Sequence, residues 1–432
     1  MWSVPETPSR YIDLKCGNRL ELPALFLHPL HHEGKILRET ILDTSAQTQH
    51  VAGFVISMKD WPKLSQTLYQ PTIVPSPRLQ ERVRIVDPEL HLLFTGLDSD
   101  KRDLLNLKVT SGKLGDRKIP EAKKNLRDTV MAIAMQEGLS QPSKSKQYVE
   151  ELYPFMSSIL FDVMRYLIDA GTETLIAPSV PITSKAIALK QIEMANRLSS
   201  DSKVLFASRF ANYTSSTDFM VMIAVNAHIL ENTEFCERLI AMVITTRPDH
   251  VGIKVLDLDE RDVPRVEAVL KFIANLRNAI DVFGRQIPIH IFNVREFGYV
   301  TFCHGASVIE MPIARKPYMH INRNNPTDPS QLGRYTHPVD LVDYTYDQLA
   351  EMSAMNGLPC SCTPCQNRRE IGDKDTFNEF RKKHFVCLKG GFEMDEIHKA
   401  DADSLNIALR DKFGRSKQTG LVAYLERIVA VP

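Results

Sequence analysis

The chain has 432 residues, enough for one large domain with an appendage or for several small ones. Hydrophobic residues make up 43% and charged residues 25%, the balance of a globular chain with an ample core, which excludes a disordered or fibrous class. Lys plus Arg number 53 and so do Asp plus Glu, so a nucleic-acid partner would have to be met by a local basic patch rather than by a basic chain.

The amino terminus, MWSVPETPSRYIDLK, lacks the apolar segment of a secretory signal. No apolar run approaches the ~18 residues of a membrane span. The longest, FMVMIAVNAHIL (Phe219 to Leu230), contains Asn226 and His228 and predicts a buried helix. The expected compartment is the cytoplasm, with no membrane partner. Up to about residue 145 the chain is rich in proline. Its short apolar runs ALFLH (Ala24 to His28), HVAGFVISM (His50 to Met58) and LHLLFTG (Leu90 to Gly96) predict strands. SGKLGDRKIPEAKKN (Ser111 to Asn125) and SQPSKSKQ (Ser140 to Gln147) predict exposed loops. Their Lys113, Arg117, Lys118, Lys123, Lys124, Lys144 and Lys146 could form a phosphate track, or simply a solvated surface.

From about residue 148 the pattern becomes regular. YVEELYPFMSSILFDVMRYLIDAG predicts a helix stopped at Gly171, and TETLIAP (Thr172 to Pro178) a short buried strand. SKAIALKQIEMANRLSS predicts an amphipathic helix capped by Ser184, and KVLFAS (Lys203 to Ser208) another strand. Helical patterns run from about Thr217 to Thr246. HVGIKVLDL (His250 to Leu258) predicts a strand, VPRVEAVLKFIANLRNAIDVFG a helix ending at Gly284, and PIHIFNV (Pro288 to Val294) and ASVIEMPI (Ala306 to Ile313) two further strands. Apolar strands alternating with helices imply a parallel sheet covered on both faces. The strand count approaches eight, and neither GxGxxG nor GxxxxGK[ST] supports a nucleotide-binding open sheet. The expected fold is therefore α/β: a (β/α)8 barrel over residues 1–314 with an irregular N-terminal part. A metal-stapled subdomain with C-terminal helices is expected over 315–432.

That subdomain carries PCSCTPC. Three of the seven cysteines, Cys360, Cys362 and Cys365, crowd into one tight loop, a spacing that predicts metal ligation rather than a disulfide framework. Zinc prefers four tetrahedral ligands drawn from Cys and His, and His384, Cys387 and His398 are the candidates for the fourth. A closed set of this kind is structural, since no position remains for water.

A C-x-C-x-x-C loop followed by a helix and a later histidine, set after the last strand of a (β/α)8 series, resembles the zinc subdomain of the tRNA-guanine transglycosylase superfamily. That superfamily includes relatives that insert 7-deazaguanine bases into DNA. The resemblance selects His398, in DEIHKADADSL, as the zinc histidine. GASVIEMPIAR resembles the segment that carries the family's nucleophile, with Glu310 in place of the Asp and Arg315 near the family's Arg. VGIKVLDLDE matches a segment that ends in Gly-Glu, so Glu260 takes the Glu while the glycines are absent. In PIHIFNVREF, Asn293 stands where a glycine is expected. LDTSAQ (Leu42 to Gln47) is nearest to the segment with the general base, which nominates Asp43. The resemblance thus implies structural Zn2+, exchange of guanine for a 7-deazaguanine base, and a nucleic-acid partner, DNA slightly favoured over tRNA. It also implies a homodimer or partner subunit. Base exchange needs a carboxylate behind C1′ and a second acidic group for the protons. Glu310 and Asp43 are expected in those roles. Asp257, Asp259 and Glu260, at the mouth of one strand, are expected to contact a base or ribose together with Arg315. Arg381, Lys382 and Lys383 are placed where the family grips the nucleic-acid backbone. The alternative is a catalytically degenerate paralogue that keeps fold and zinc and serves as a nucleic-acid-binding or dimerising subunit.

Overall fold

The computed structural model describes residues 11–69, 79, 81–91, 108–111, 115–118, 142–258, 262–294, 296–313, 335–336, 338, 343–356, 358, 360–367 and 374–399. Eight strands close into a parallel barrel in chain order: β1 (Ala24–His28), β2 (Val51–Ser57), β3 (Val83–Asp87), β4 (Thr174–Ile176), β5 (Asp218–Asn226), β6 (His250–Leu256), β7 (Ile289–Phe292) and β8 (Val308–Pro312). Closure is made by β8 against β1, in a register that runs from Val308 beside Ala24 to Pro312 beside His28. The predicted barrel is thus the observed one.

Two of its strands are not the predicted ones. The third strand is Val83–Asp87, and the predicted run Leu90–Gly96 contributes only the buried Leu90 and His91 among the described residues. The fifth is DFMVMIAVN, all nine residues buried, where a helix was expected. KVLFAS instead continues helix α4 (Ala188–Arg209). A short apolar run reads alike as core strand or buried helix, and here burial on both faces settled the choice. The segment expected as a loop from Ser111 forms part of an antiparallel hairpin, Lys108–Ser111 with Gly115–Lys118.

Alternation along the strands divides the side chains between two cores. Leu25, Leu27, Phe54, Ile56, Val221, Ile223, Ile253, Ile291 and Ile309 point outward and pack under the helical ring. Ala24, Phe26, Val55, Val83, Ile85, Ile176, Met220, Met222, Phe292 and Val308 fill the interior, as in a packed barrel rather than a pore. Space is tight there. A Cβ on Gly252 would lie 2.9 Å from Met220 Sδ, Met222 Cε and the Phe292 ring. The floor is closed by an antiparallel hairpin, Tyr11–Asp13 with Arg19–Glu21, whose Leu14 and Leu20 join the interior core. Lys15 N donates to Asp218 Oδ2 at 3.2 Å and Asn18 Nδ2 to Glu173 Oε2 at 3.2 Å, which ties the plug to the starts of β5 and β4.

The outer helices are α1 (Gly34–Asp43), α2 (Trp61–Leu68), α3 (Pro142–Asp169), α4, α5 (Thr233–Thr246), α6 (Val263–Val282) and α7 (Glu296–Phe302). Capping explains several starts. Asn232 accepts from Phe235 N, and Asp262 accepts from Arg265 N with Pro264 in the first turn. No described helix is long and apolar enough to cross a membrane.

After the barrel come α8 (Tyr346–Asn356), the short α9 (Thr363–Gln366), α10 (Lys374–Cys387), a π-helical stretch Leu388–Glu393, and α11 (Met394–Lys399). This part has its own small core of Tyr335, Leu349, Phe377 and Phe380 around the cysteines. It is not merely appended. Phe385, Val386, Met394 and Ile397 belong to the barrel's outer core. Lys382 Nζ reaches Glu33 at 3.0 Å with both side chains buried, and Lys389 and Tyr299 both bond the buried Glu393. Gly390 and Gly391 let the π stretch press on the segment before β2. A Cβ on Gly391 would lie 2.3 Å from Gln47 O, and one on Gly390 2.3 Å from Val51 Cγ2.

Gly53 tests the packing. A Cβ there would meet Val83 O at 2.3 Å and the Phe26 ring at 2.4 Å. Gly53→Ala is expected to cost about 1–3 kcal/mol by overpacking, visible as a lowered Tm in calorimetry. An unchanged Tm would contradict this packing.

Candidate active site and metal centre

At the C-terminal ends of the strands the barrel interior turns polar, and this is the face on which barrel enzymes place their sites. Asp87 ends β3, and its Oδ2 accepts from Lys254 Nζ on β6 at 2.6 Å. Both side chains are buried. Ser57 Oγ, at the end of β2, donates to the buried Glu89. Asn226 Nδ2, ending β5, donates to Asp257 Oδ2 at 2.7 Å. Each buried polar group here finds a partner, as low dielectric requires.

Glu310 is the exception. It lies on β8, 2% exposed. Its Oε2 accepts from Asn293 N, while Oε1 makes no hydrogen bond among the described residues. His28, brought alongside by barrel closure, places Nδ1 2.9 Å from that oxygen, and His28 Nε2 is likewise buried without a hydrogen bond. The buried Glu310 carboxylate thus rests against one backbone amide and one imidazole.

Backbone conformation marks the same rim. Among the described residues only four non-glycine residues have positive φ, and three of them stand just past strand ends: Glu89 at 46°, Asp257 at 52° and Asn293 at 59°. Such conformations cost free energy and collect at functional sites. Asn and Asp tolerate the left-handed region better than other side chains. This explains how Asn293 occupies a position where glycine was expected.

The second centre is the cysteine loop. The ligand atoms of Cys360, Cys362, Cys365 and His384 all lie within 4.8 Å of one another and could hold a metal ion. His384 Nδ1 is 3.4 Å from both Cys362 Sγ and Cys365 Sγ. His384 Nε2 donates to Thr336 O at 2.8 Å, which fixes Nδ1 as the ligand nitrogen. The Tyr335 ring stacks on that imidazole at 4.1 Å. Hydrogen bonds from Cys362 and Cys365 hold the Cys360 thiol well below its ordinary value, and contacts with Cys360, Cys365 and Cys387 push Cys362 up. Crowded thiols with one already disposed to lose its proton suit a cation.

The fourth residue of the cluster is therefore His384, not His398. α10 carries His384 back over the cysteine loop, whereas His398 lies one helix further on, with its ring stacked on His50 at 4.6 Å. Cys387 does not complete the cluster either; its Sγ meets Thr44 Oγ1 at 3.4 Å. Asp43 is also corrected. It is the exposed last residue of α1. A helix that follows a barrel strand runs back antiparallel to it, so this helix end lies at the floor, away from Glu310. The carboxylate that the end of the third strand supplies is Asp87, in VRIVDPEL. Its signal in the sequence is an apolar run closed by Asp-Pro, beside the longer apolar run LHLLFTG. Asp257 is at the mouth, as expected. Asp259, Glu260 and Arg315 lie outside the described residues, as do Lys113, Lys123 and Lys124. Lys382 and Lys383 serve Glu33, Glu39 and Glu379 rather than an open surface.

No family model matches the chain, and no curated protein matches it.

Lys254→Met is expected to destabilise the fold by about 3–5 kcal/mol, since it strands the Asp87 charge in the barrel. Adding Asp87→Leu should recover most of the loss in urea denaturation, and equal stability of the single variant and the parent would refute the buried pair. A His384→Ala variant is expected to lose the cluster's metal to a chelator that the parent resists.

Proposed function

We propose that the chain is a divergent member of the tRNA-guanine transglycosylase superfamily: a pentosyltransferase that exchanges guanine for a 7-deazaguanine base in a polynucleotide, DNA favoured over tRNA. The observation that carries this reading is Glu310, a buried carboxylate in the barrel mouth with one oxygen anchored by Asn293 N and the other beside His28 Nδ1 at 2.9 Å.

The chemistry follows from those positions. The target nucleotide is flipped out of its stack into the mouth. Glu310 Oε1 attacks C1′ as the bond to N9 of guanine breaks, and the electron pair leaves with the base, which takes up a proton. The glycosyl ester on Glu310 is then opened by N9 of the incoming base, which gives up its own proton. Asp87, anchored by Lys254, is the carboxylate proposed to move these protons, in the role first expected of Asp43. His28 stands beside the attacking oxygen and orients it. Asp257, with Asp259, Glu260 and Arg315 beyond the described rim, is proposed to contact base and ribose.

The ion at the cysteine loop is proposed to be zinc. Three thiolates and one imidazole form its preferred closed tetrahedral set, which leaves no place for substrate, so its role is structural. The Gln47 side chain accepts from Thr363 N at 2.9 Å, which couples the loop to the barrel.

The second reading, a degenerate paralogue that binds nucleic acid or dimerises, is favoured by one observation: at 2% exposure Glu310 needs the mouth to open before C1′ can reach it. Purified chain, tested alone with DNA or tRNA and labelled 7-deazaguanine, separates the two by nucleoside mass spectrometry. Exchange by the parent, with Glu310→Gln forming no covalent adduct and losing about 10³-fold or more in rate, is the expected result. Full activity in that variant would sink Glu310 as nucleophile, and no exchange by the parent on either polymer would favour the subunit reading.

A further inference from the structure

His398 is freed from the cysteine loop, and its surroundings are unusual. It lies on α11, over the floor of the barrel. Glu21 ends the hairpin that plugs this floor, and His50 immediately precedes β2. Three segments remote in sequence thus converge. The ligand atoms of Glu21, His50 and His398 lie within 4.8 Å of one another, the only other such group among the described residues beside the cysteine loop.

We propose that Glu21, His50 and His398 form a second metal site, for a divalent transition-metal ion of the zinc type. Two imidazoles and one carboxylate are a ligand set that such ions accept with an open position. The two rings stack at 4.6 Å and 19°, and His398 Nδ1 is 3.7 Å from Glu21 Oε1. Ligand atoms around one tetrahedral ion stand about 3.3 Å apart. The observed spacing therefore closes onto an ion with side-chain adjustments of the order of 1 Å. Stacked imidazoles repel one another when both are protonated, so a shared cation held by two neutral rings is the better occupant of this pair. Asp395 Oδ1 lies 3.6 Å from His50 Nε2 and adds a second carboxylate beside the pair. The surroundings are otherwise polar: Gln49 Nε2 is 3.0 Å from His50 Nε2, the Tyr11 hydroxyl is 3.5 Å from Glu21 Oε1, and Lys399 pairs with Asp395. The His398 side chain is only 6% exposed and that of His50 14%, while Glu21 at 35% opens a path from solvent.

The two centres differ in chemistry. The cysteine loop offers soft thiolates and no opening to substrate. The floor site offers nitrogen and oxygen and one open position, so it takes zinc, cobalt or nickel with lower affinity and exchanges them faster. An ion there would bind the N-terminal plug, the start of β2 and the C-terminal helix together, at the end of the barrel opposite the proposed active site. The site does not depend on the transglycosylase reading.

The test is metal analysis of the full chain purified from zinc-supplemented medium. The parent is expected to carry two zinc ions per chain, and His50→Ala/His398→Ala one. Glu21→Gln should weaken the second ion by 10-fold or more in chelator competition. One ion in the parent, or two in the double variant, would overturn the proposal. Zinc-edge X-ray absorption on the parent needs no variant. A nitrogen and oxygen shell beyond the sulfur-rich shell of the cysteine loop is expected, and a spectrum explained by three sulfurs and one nitrogen alone would refute the floor site.

Discussion

Closure of the parallel ring, β8 on β1, is the constraint from which the rest follows. Interior side chains of a closed barrel fall into layers set by the register, and water is shut out between them. The middle layer is apolar, the lower one holds the buried Asp218, His250 and His290, and the rim layer brings together His28, Ser57, Asp87, Asn226, Lys254 and Glu310. Shut off from water, these groups have to satisfy one another. Lys254 with Asp87, Ser57 with Glu89 and Asn226 with Asp257 do so across or along the ring. His28 and Glu310 meet only because the first and last strands pair.

A second constraint acts at the other end. The C-terminal part is held on the barrel at one angle. Apolar contact by Phe385, Val386, Met394 and Ile397 supplies area without direction. Direction comes from buried charges, Lys382 on Glu33 and Lys389 on Glu393 with the Tyr299 hydroxyl. Such pairs add little net stability but penalise any other docking, because a shifted arrangement leaves a charge buried and alone. The π-helical stretch belongs to the same fitting. It carries the two glycines past Gln47 and Val51, where an ordinary side chain would collide.

The alternation of apolar strands with helices was legible along most of the chain, since strands covered on both faces are continuous apolar runs such as HVGIKVL and SVIEMP. The count of eight came out right although two members were exchanged. VRIVD lay in a stretch crowded with short apolar runs, and DFMVMIAVN is long and Met-rich enough to pass for a buried helix. The cysteine spacing was legible because three ligands sit in one loop. Glu310 was legible through its place in the last strand, and Asp257 through its place after the sixth.

Local order of this kind is what the sequence by itself determined: which segments are apolar on both sides, where helices stop, and that PCSCTPC gathers three thiols in one loop. It did so because those properties depend on neighbours a few residues away. Pairing across the fold was decided only by tertiary structure. His384 displaced His398 because α10 returns over the cysteine loop, a matter of helix direction and not of spacing. Asp87 and not Asp43 stands at the mouth because only one of them ends a strand of the ring. His28 came beside Glu310 through barrel closure, which no local pattern records.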